Sequence, residues 1–190
     1  MTCIVGLIHK ETVYMGGDSL GSNGNTGNIY KNKKIFKLKD SPEILVGYTA
    51  SYRMGQLLQY SSGLFEELAL MKNQIDEEYL VNKFAQNTRK LFTDGGFGKD
   101  NVGGTFIISF KDKLYEVESD YSILEPKNGY CSVGSGGDFA NASLFTTRDM
   151  SFTPQERIIK ALEAAENFSI GVKRPFYIIN SKNEEIVEVE

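Results

Sequence analysis

Directly behind the initiator methionine stands Thr2, whose hydroxyl is a poor nucleophile at neutral pH unless a base lies beside it. The chain has a single histidine, His9, so a Ser–His–Asp arrangement has only that imidazole to draw on. Removal of Met1 would supply a different base. A free α-amino group has a reference pKa of about 7.7–8.0 and is partly neutral near pH 7. On an N-terminal Thr2 the amine and the hydroxyl belong to one residue. Small second residues usually permit loss of the methionine. Three further positions could serve such a site: Asp18 in Gly16-Gly17-Asp18-Ser19, Lys34 in Lys33-Lys34-Ile35-Phe36-Lys37-Leu38, and Ser135 in Gly134-Ser135-Gly136-Gly137. A lysine nearby favours the alkoxide and lowers the amine's pKa by like-charge repulsion. An aspartate can hold that lysine, and a turn serine can orient the amine.

Each of these residues also has a plainer reading. Thr2 could open an ordinary strand behind a retained Met1, and Asp18 could end a strand in a turn. Lys34 lies among Lys31, Lys33 and Lys37, with Lys33 the nearest competitor for register. Gly134-Ser135-Gly136-Gly137 suits a Gly-rich turn or an anion-binding nest at a helix start. Gly95-Gly96-Phe97-Gly98-Lys99 resembles a phosphate loop only superficially, because Asp100 stands where Ser or Thr is needed and the spacing is wrong. His9 reads as the end of the first strand and Cys3 as a small buried residue.

The elements that must position these residues follow from periodicity. Thr2 to His9 is β-branched and alternating, Lys10-Glu11 turns the chain, and Thr12 to Gly17 pairs back as a hairpin. Ser19 to Asn28, rich in Gly, Ser and Asn, reads as a loop. Lys34 to Leu38 and Glu43 to Thr49 are strands joined across Ser41-Pro42. The period then becomes helical, with Met54, Leu57, Leu58 and Ser61 on one face behind a Ser51 cap. A second helix is expected from about Glu77 to the stop at Asp94-Gly95-Gly96. Gly104 to Phe110 and Leu114 to Ser119 form a hairpin across Lys111-Asp112, followed by short strands at Tyr121 to Leu124 and Tyr130 to Val133. Helices return after Gly137. Thr153-Pro154-Gln155-Glu156 is a capping box, and the stripe Ile158, Leu162, Ala165 carries its helix to about Phe168. Phe176 to Ile179 and Ile186 to Val189 close the chain as strands. Segregated runs of strands and helices, without βαβ alternation, point to an α+β domain with helices packed on antiparallel sheets. Neither a linker nor a repeat divides it, so residues 1–190 read as one domain.

Composition narrows the function classes. The chain has 190 residues, 41% of them apolar, and a formal net charge of −4 without a long Lys/Arg tract, which argues against nucleic acid as main partner. No apolar run reaches the roughly 18 residues of a membrane span, and no signal peptide opens the chain. Cys3 and Cys131 do not make a disulfide framework, so a cytoplasmic, reducing setting is expected. With one histidine and two cysteines no metal site follows from the usual spacings.

Taken together and in order, Thr2, the Gly-Asp at Asp18, Lys34 heading a strand and the Gly-Ser-Gly around Ser135 resemble the proteasome β-subunit and HslV-like N-terminal-nucleophile hydrolases. Asp18 and Lys34 lie 16 and 32 residues after Thr2, the separations expected of that family. The resemblance covers essentially the whole chain and implies a four-layer αββα sandwich. It also implies a threonine-type endopeptidase that acts through an acyl-enzyme on Thr2, with Asp18, Lys34 and Ser135 in the site. By similarity, the amide of Ala50 is the oxyanion donor. One departure concerns the stretch after the last long helix, where many β-subunits have Asp and Ser three residues apart. Here Asn167 stands at the Asp position and Ile170 at the Ser position, and Ser169, if in a strand, points to the opposite face. Peptide or unfolded protein is the implied substrate, and no cofactor or metal is called for. A homo-oligomer is implied, with an ATP-dependent unfoldase as a separate chain. Two rival functions are a catalytically silent assembly subunit that keeps Met1 and an amidohydrolase acting on a small amide.

Overall fold

The computed structural model describes residues 1–61, 63–70, 76–98, 104–110 and 112–190. In chain order the strands and helices begin with β1 (Ile4–His9), β2 (Thr12–Gly17), β3 (Leu20–Ser22), β4 (Gly27–Ile29), β5 (Ile35–Leu38) and β6 (Ser41–Tyr48). Then come α1 (Tyr52–Tyr60), α2 (Glu66–Leu70), α3 (Glu77–Tyr79) and, after a π-helical turn at Leu80–Phe84, α4 (Ala85–Asp94). The second half holds β7 (Phe106–Phe110), β8 (Lys113–Val117), β9 (Ile123–Leu124), β10 (Tyr130–Val133), α5 (Gly137–Thr146), α6 (Pro154–Phe168), β11 (Phe176–Asn180) and β12 (Val187–Val189).

Two antiparallel sheets, ordered β10-β1-β2-β11-β12 and β5-β6-β7-β8-β9, face one another, and each carries helices on its outer side. Alternation along the strands builds the layers, since successive side chains point to opposite faces. On β1, Ile4 enters the seam between the sheets with Met15, Leu45, Ile107 and Leu114. Val5 and Leu7 turn outward to meet Leu144 of α5 and Ile158 and Leu162 of α6. On β7, Ile107 joins the seam while Phe106 and Ile108 pack outward with Met54, Leu58, Phe84 and Phe92. The sheets approach closely at Gly47, where an added Cβ would lie 2.4 Å from Ile4 Cγ2 and 2.9 Å from Met15 Sδ. The αββα sandwich expected from the sequence is the fold observed.

The helix on the β1 side is the better specified. Thr153 caps α6 with a complete capping box, Pro154 stands in the first turn, and Ile158, Ala161, Leu162 and Ala165 bury one stripe. On the far side the sequence pattern was coarser than the structure. The expected helix from Glu77 exists and stops where expected, but a π turn interrupts it, and α2 was not anticipated. The loop expected over Ser19 to Asn28 contains a two-stranded ribbon, with Leu20 opposite Ile29 and Ser22 opposite Gly27. The Asn23 carboxamide oxygen accepts from the amides of Asn25 and Thr26 and closes its turn. Tyr121 does not start a strand, because it takes the left-handed conformation at φ 71° in a turn, and β9 begins at Ile123. Lys99, Asp100 and Lys111 lie outside the described residues.

Candidate active site

The β1–β2 hairpin brings the first two candidates together. Ile4 pairs with Gly17, so the residues just before β1 and just after β2 are neighbours. Asp18 uses that position fully. Its Oδ1 accepts from the Cys3 amide at 3.0 Å, and its Oδ2 accepts from the Leu20 amide at 3.0 Å and the Lys173 amide at 3.4 Å. Lys34, immediately before β5, places Nζ 2.8 Å from Asp18 Oδ1 and 2.6 Å from the Leu20 carbonyl oxygen. The two side chains are 4% and 0% accessible. Lys33 turns away, with Nζ 4.5 Å from the Tyr177 ring centroid. Strand alternation thus resolves the register in favour of Lys34.

Burial pushes the Asp18 carboxyl upward and the Lys34 ammonium downward, and each opposes the other's shift by its charge. Three backbone amides and an ammonium converge on the carboxylate, which is the arrangement of an ionised acid. Two of the three Lys34 N–H groups are committed, and one remains. Cys3, next to this pair, is buried, and its thiol is pushed far up by desolvation and then by Asp18, so it stays a neutral packing residue.

The third candidate arrives at the same end of β1 from its other neighbouring strand. β10 pairs with β1 in the register Ile4↔Val133, and the turn from Gly134 follows. Gly134 has φ 97°, and a Cβ there would fall 2.3 Å from the Thr2 carbonyl oxygen, so only glycine allows the turn to press against Thr2. The Gly136 amide donates to that oxygen at 3.1 Å. Ser135 Oγ accepts from the Thr2 nitrogen at 3.2 Å. Thr2 is 4% exposed, and its hydroxyl donates to the Met1 carbonyl oxygen.

Ala50 follows β6 in the left-handed conformation, φ 58°, just before the Ser51 cap of α1. Among the described residues its amide has no acceptor, so a donor is left free at the start of a helix, where the dipole favours negative charge. Thr2, Lys34, Tyr48, Ala50 and Tyr52 line one small cleft of about 50 Å³, which Met1 also touches.

Asn167 is not brought to this cluster. It is exposed on the last turn of α6, and its side chain makes no hydrogen bond among the described residues. Ser169 is brought there instead, contrary to expectation. It is the C-cap of α6 and not a strand residue, so alternation does not govern it. Its Oγ lies 3.4 Å from Ser135 Oγ and accepts from the Gly171 amide at 3.3 Å. The segment behind it is tied to α6 by Arg174, whose backbone amide and Nε each donate to Glu166 at 2.9 Å. The cap position of Ser169 was the signal that could have found it. The contributions of the Leu20 carbonyl and the Lys173 amide to the Asp18–Lys34 pair had no side-chain signature at all.

Comparison with known proteins agrees with this fold. The model of the proteasome subunit family matches residues 1–168. The chain belongs to that family. Among solved structures, eukaryotic HslV from Trypanosoma brucei superimposes with a TM-score of 0.76 at 17% identity, over 94% of this chain and 98% of that one. BPH from Thiobacillus denitrificans, in complex with epoxomicin, gives 0.74 at 14% identity over the whole of both chains. A Gly-1 mutant of Anbu from Hyphomicrobium sp. strain MC1 gives 0.70 at 11% identity, covering all of this chain and 87% of that one. At these identities the structural matches establish the fold. Membership of the proteasome subunit family supports a hydrolase of the N-terminal-nucleophile class, of peptidase type.

Proposed function

We propose that this proteasome-family chain is a threonine-type endopeptidase whose nucleophile is Thr2 after Met1 has been removed. The observation that carries the reading is the meeting at Thr2 of two supports from opposite directions. Ser135 Oγ stands 3.2 Å from its nitrogen, and the buried Asp18–Lys34 pair is bonded to the Cys3 amide through Asp18 and lines the cleft beside Thr2 through Lys34. With Met1 attached, the Thr2 nitrogen is an amide whose lone pair is delocalised, and it cannot take a proton from the hydroxyl. The Thr2 hydroxyl then spends its proton on the Met1 carbonyl.

Once the amine is free, it takes the Thr2 Oγ proton as Oγ attacks the carbonyl carbon of the substrate peptide bond. The remaining Lys34 N–H favours the developing alkoxide. The negative charge that gathers on the carbonyl oxygen is met by the unpaired Ala50 amide. The amine next passes its proton to the leaving peptide nitrogen, and the C–N bond breaks to leave an ester on Thr2. Water then attacks that ester with the amine again as base, releasing the acyl fragment and restoring the hydroxyl. Ser135 fixes the amine's direction throughout. Peptide or unfolded protein is the substrate of this reading. Family membership supports an oligomer; a homo-oligomer served by a separate ATP-dependent unfoldase completes the reading.

The competing reading, a silent subunit, rests on Met1, which occupies the mouth of the cleft with its Cβ packed at Gly171. One experiment separates the two. Epoxomicin, the compound held by BPH, is added to protein whose N-terminus has been defined by intact mass. Met1-free protein is expected to form an adduct on the N-terminal peptide and to cleave short peptides, and Met1-retaining protein to do neither. Thr2→Ala, folded but inert, completes the test. Full turnover by a preparation that retains Met1 would falsify the mechanism.

A further inference from the structure

Among the described residues, three side-chain polar atoms are buried without a hydrogen-bond partner: Ser22 Oγ, Tyr52 OH and Tyr79 OH. The residues that carry the first two, Ser22 and Tyr52, line the same cleft as Thr2, Lys34 and Ala50, and also the adjoining cavity of about 200 Å³ at the β3–β4 ribbon. Buried hydroxyls are ordinarily paired, so an unpaired one is a donor and acceptor still lacking its partner. Two such groups beside a nucleophile are a pattern that the catalytic steps do not use.

The fold holds both groups firmly. Ser22 ends β3 opposite Gly27. Tyr52 opens α1 just after the Ser51 cap, and its ring packs edge-on against Tyr30 at 5.4 Å and Tyr48 at 6.3 Å between centroids. Tyr30 and Tyr52 close over Gly21, where a Cβ would lie 2.5 Å from one ring and 2.9 Å from the other. The Tyr52 phenol is pushed above its usual range, first by burial, then by Asp18 and Tyr30, so it keeps its proton near neutrality and can donate.

We infer that Ser22 and Tyr52 form a specificity pair that binds a short, uncharged side chain bearing a hydroxyl or carboxamide, on the substrate residue whose carbonyl Thr2 attacks. This rests on the peptidase reading. When that carbonyl sits between Thr2 Oγ and the Ala50 amide, the side chain one bond away enters the cleft that Ser22 and Tyr52 line. Size and charge define the class. With Met1 among its walls the cleft measures about 50 Å³, room for roughly three or four water-sized groups, and the adjoining cavity at Ser22 and Tyr52 adds about 200 Å³, so the pair faces space that suits a compact side chain such as Thr, Ser or Asn. Among the described residues Lys34 is the one cationic side chain lining the cleft, and Asp18 already neutralises it, so an ionised side chain would find no free side-chain counter-charge.

The test uses Met1-free protein and four peptides identical except at that residue: Thr against its isostere Val, and Asn against the similarly sized Leu. A site built to hydrogen-bond a substrate rejects the analogue lacking the group, so kcat/KM is expected to favour Thr over Val and Asn over Leu by at least about tenfold. Tyr52→Phe and Ser22→Ala, each checked for an unchanged melting midpoint, should each bring the ratio toward one. A ratio near one in the unsubstituted protein overturns the inference while leaving the peptidase reading intact, as do variants that slow both members of a pair equally. Silence toward all four peptides, with no adduct at Thr2, sinks the peptidase reading and this inference with it.

Discussion

The two supports of Thr2 are built in opposite ways. On one side the Asp18–Lys34 pair is sealed from water, with the carboxylate accepting four hydrogen bonds and the ammonium donating two, the side-chain contacts at 2.6 to 2.8 Å. On the other side Ser135 meets Thr2 through a part-buried contact of 3.2 Å, and Ser169 meets Ser135 through an exposed one of 3.4 Å. The first is complete while Met1 is still attached. The second has little to do until residue 2 carries an amine, because an amide N–H at 3.2 Å is only a placeholder for one. The lesson is that the electrostatic half of the site is part of the folded core. The proton-handling half is a loosely held socket for a group created by processing.

The largest effect should come from breaking the sealed half. Lys34→Met leaves the Asp18 carboxylate buried without its cation, which is expected to destabilise the fold by about 3–5 kcal/mol and to abolish peptide hydrolysis. Lys33→Ala, on the outer face, should do neither. Adding Asp18→Asn to Lys34→Met is expected to recover part of the lost stability, since two neutral groups replace an orphaned charge, but no activity. Denaturant midpoints beside a peptide assay read both quantities. A stable, active Lys34→Met would show that the pair is dispensable and would dissolve the contrast between the two halves.

The socket should respond in rate and not in stability. Ser135→Ala removes one long hydrogen bond, so the melting midpoint should move little. In Met1-free protein kcat is nevertheless expected to fall about 10- to 100-fold, the range of a misdirected proton acceptor. The pH profile adds a sign. The amine works only when neutral, so kcat/KM should rise with pH through its pKa, for which the reference is about 7.7–8.0 before Lys34 lowers it. As an ammonium the group donates to Ser135, which favours the charged form. Losing Ser135 should therefore move the rising limb to lower pH. A limb that stays in place while kcat falls would mean that Ser135 supports the turn rather than the amine.

Most of the sealed half was legible in the sequence. Period-two alternation marked the hairpin that sets Thr2 beside Asp18, while Lys34 came with the family resemblance and is separated from Lys33 by its contact with Asp18. What was not legible is backbone. The Leu20 carbonyl and the Lys173 amide that complete the pair belong to residues with no chemical signature, one in a ribbon read as a loop and one far along the chain. The free Ala50 amide depends on a left-handed residue that is not glycine, against the usual preference. The π turn after α3 had no visible signal in a smoothly periodic segment. Ser169 was misjudged because a strand rule was applied to a helix cap.

That misjudgement frames the smallest and most pointed test. Alignment by position favours Asn167 as the amine's second support, while the contacts favour Ser169. Ser169 Oγ reaches Ser135 Oγ at 3.4 Å, and Arg174 anchors its segment to Glu166, whereas Asn167 faces solvent on α6. A single hydrogen bond between hydroxyls contributes about 0.5–1.5 kcal/mol, so Ser169→Ala should lower kcat by no more than about tenfold. It should be non-additive with Ser135→Ala, because it acts only by orienting that hydroxyl. Asn167→Ala should leave kcat, KM and the pH profile unchanged. Both variants are read in Met1-free protein with one peptide substrate across pH. If Asn167→Ala moves the rising limb and Ser169→Ala does not, the side chain on the helix reaches the amine in the working enzyme. The loosely built half of the site would then be one that closes only after Met1 leaves.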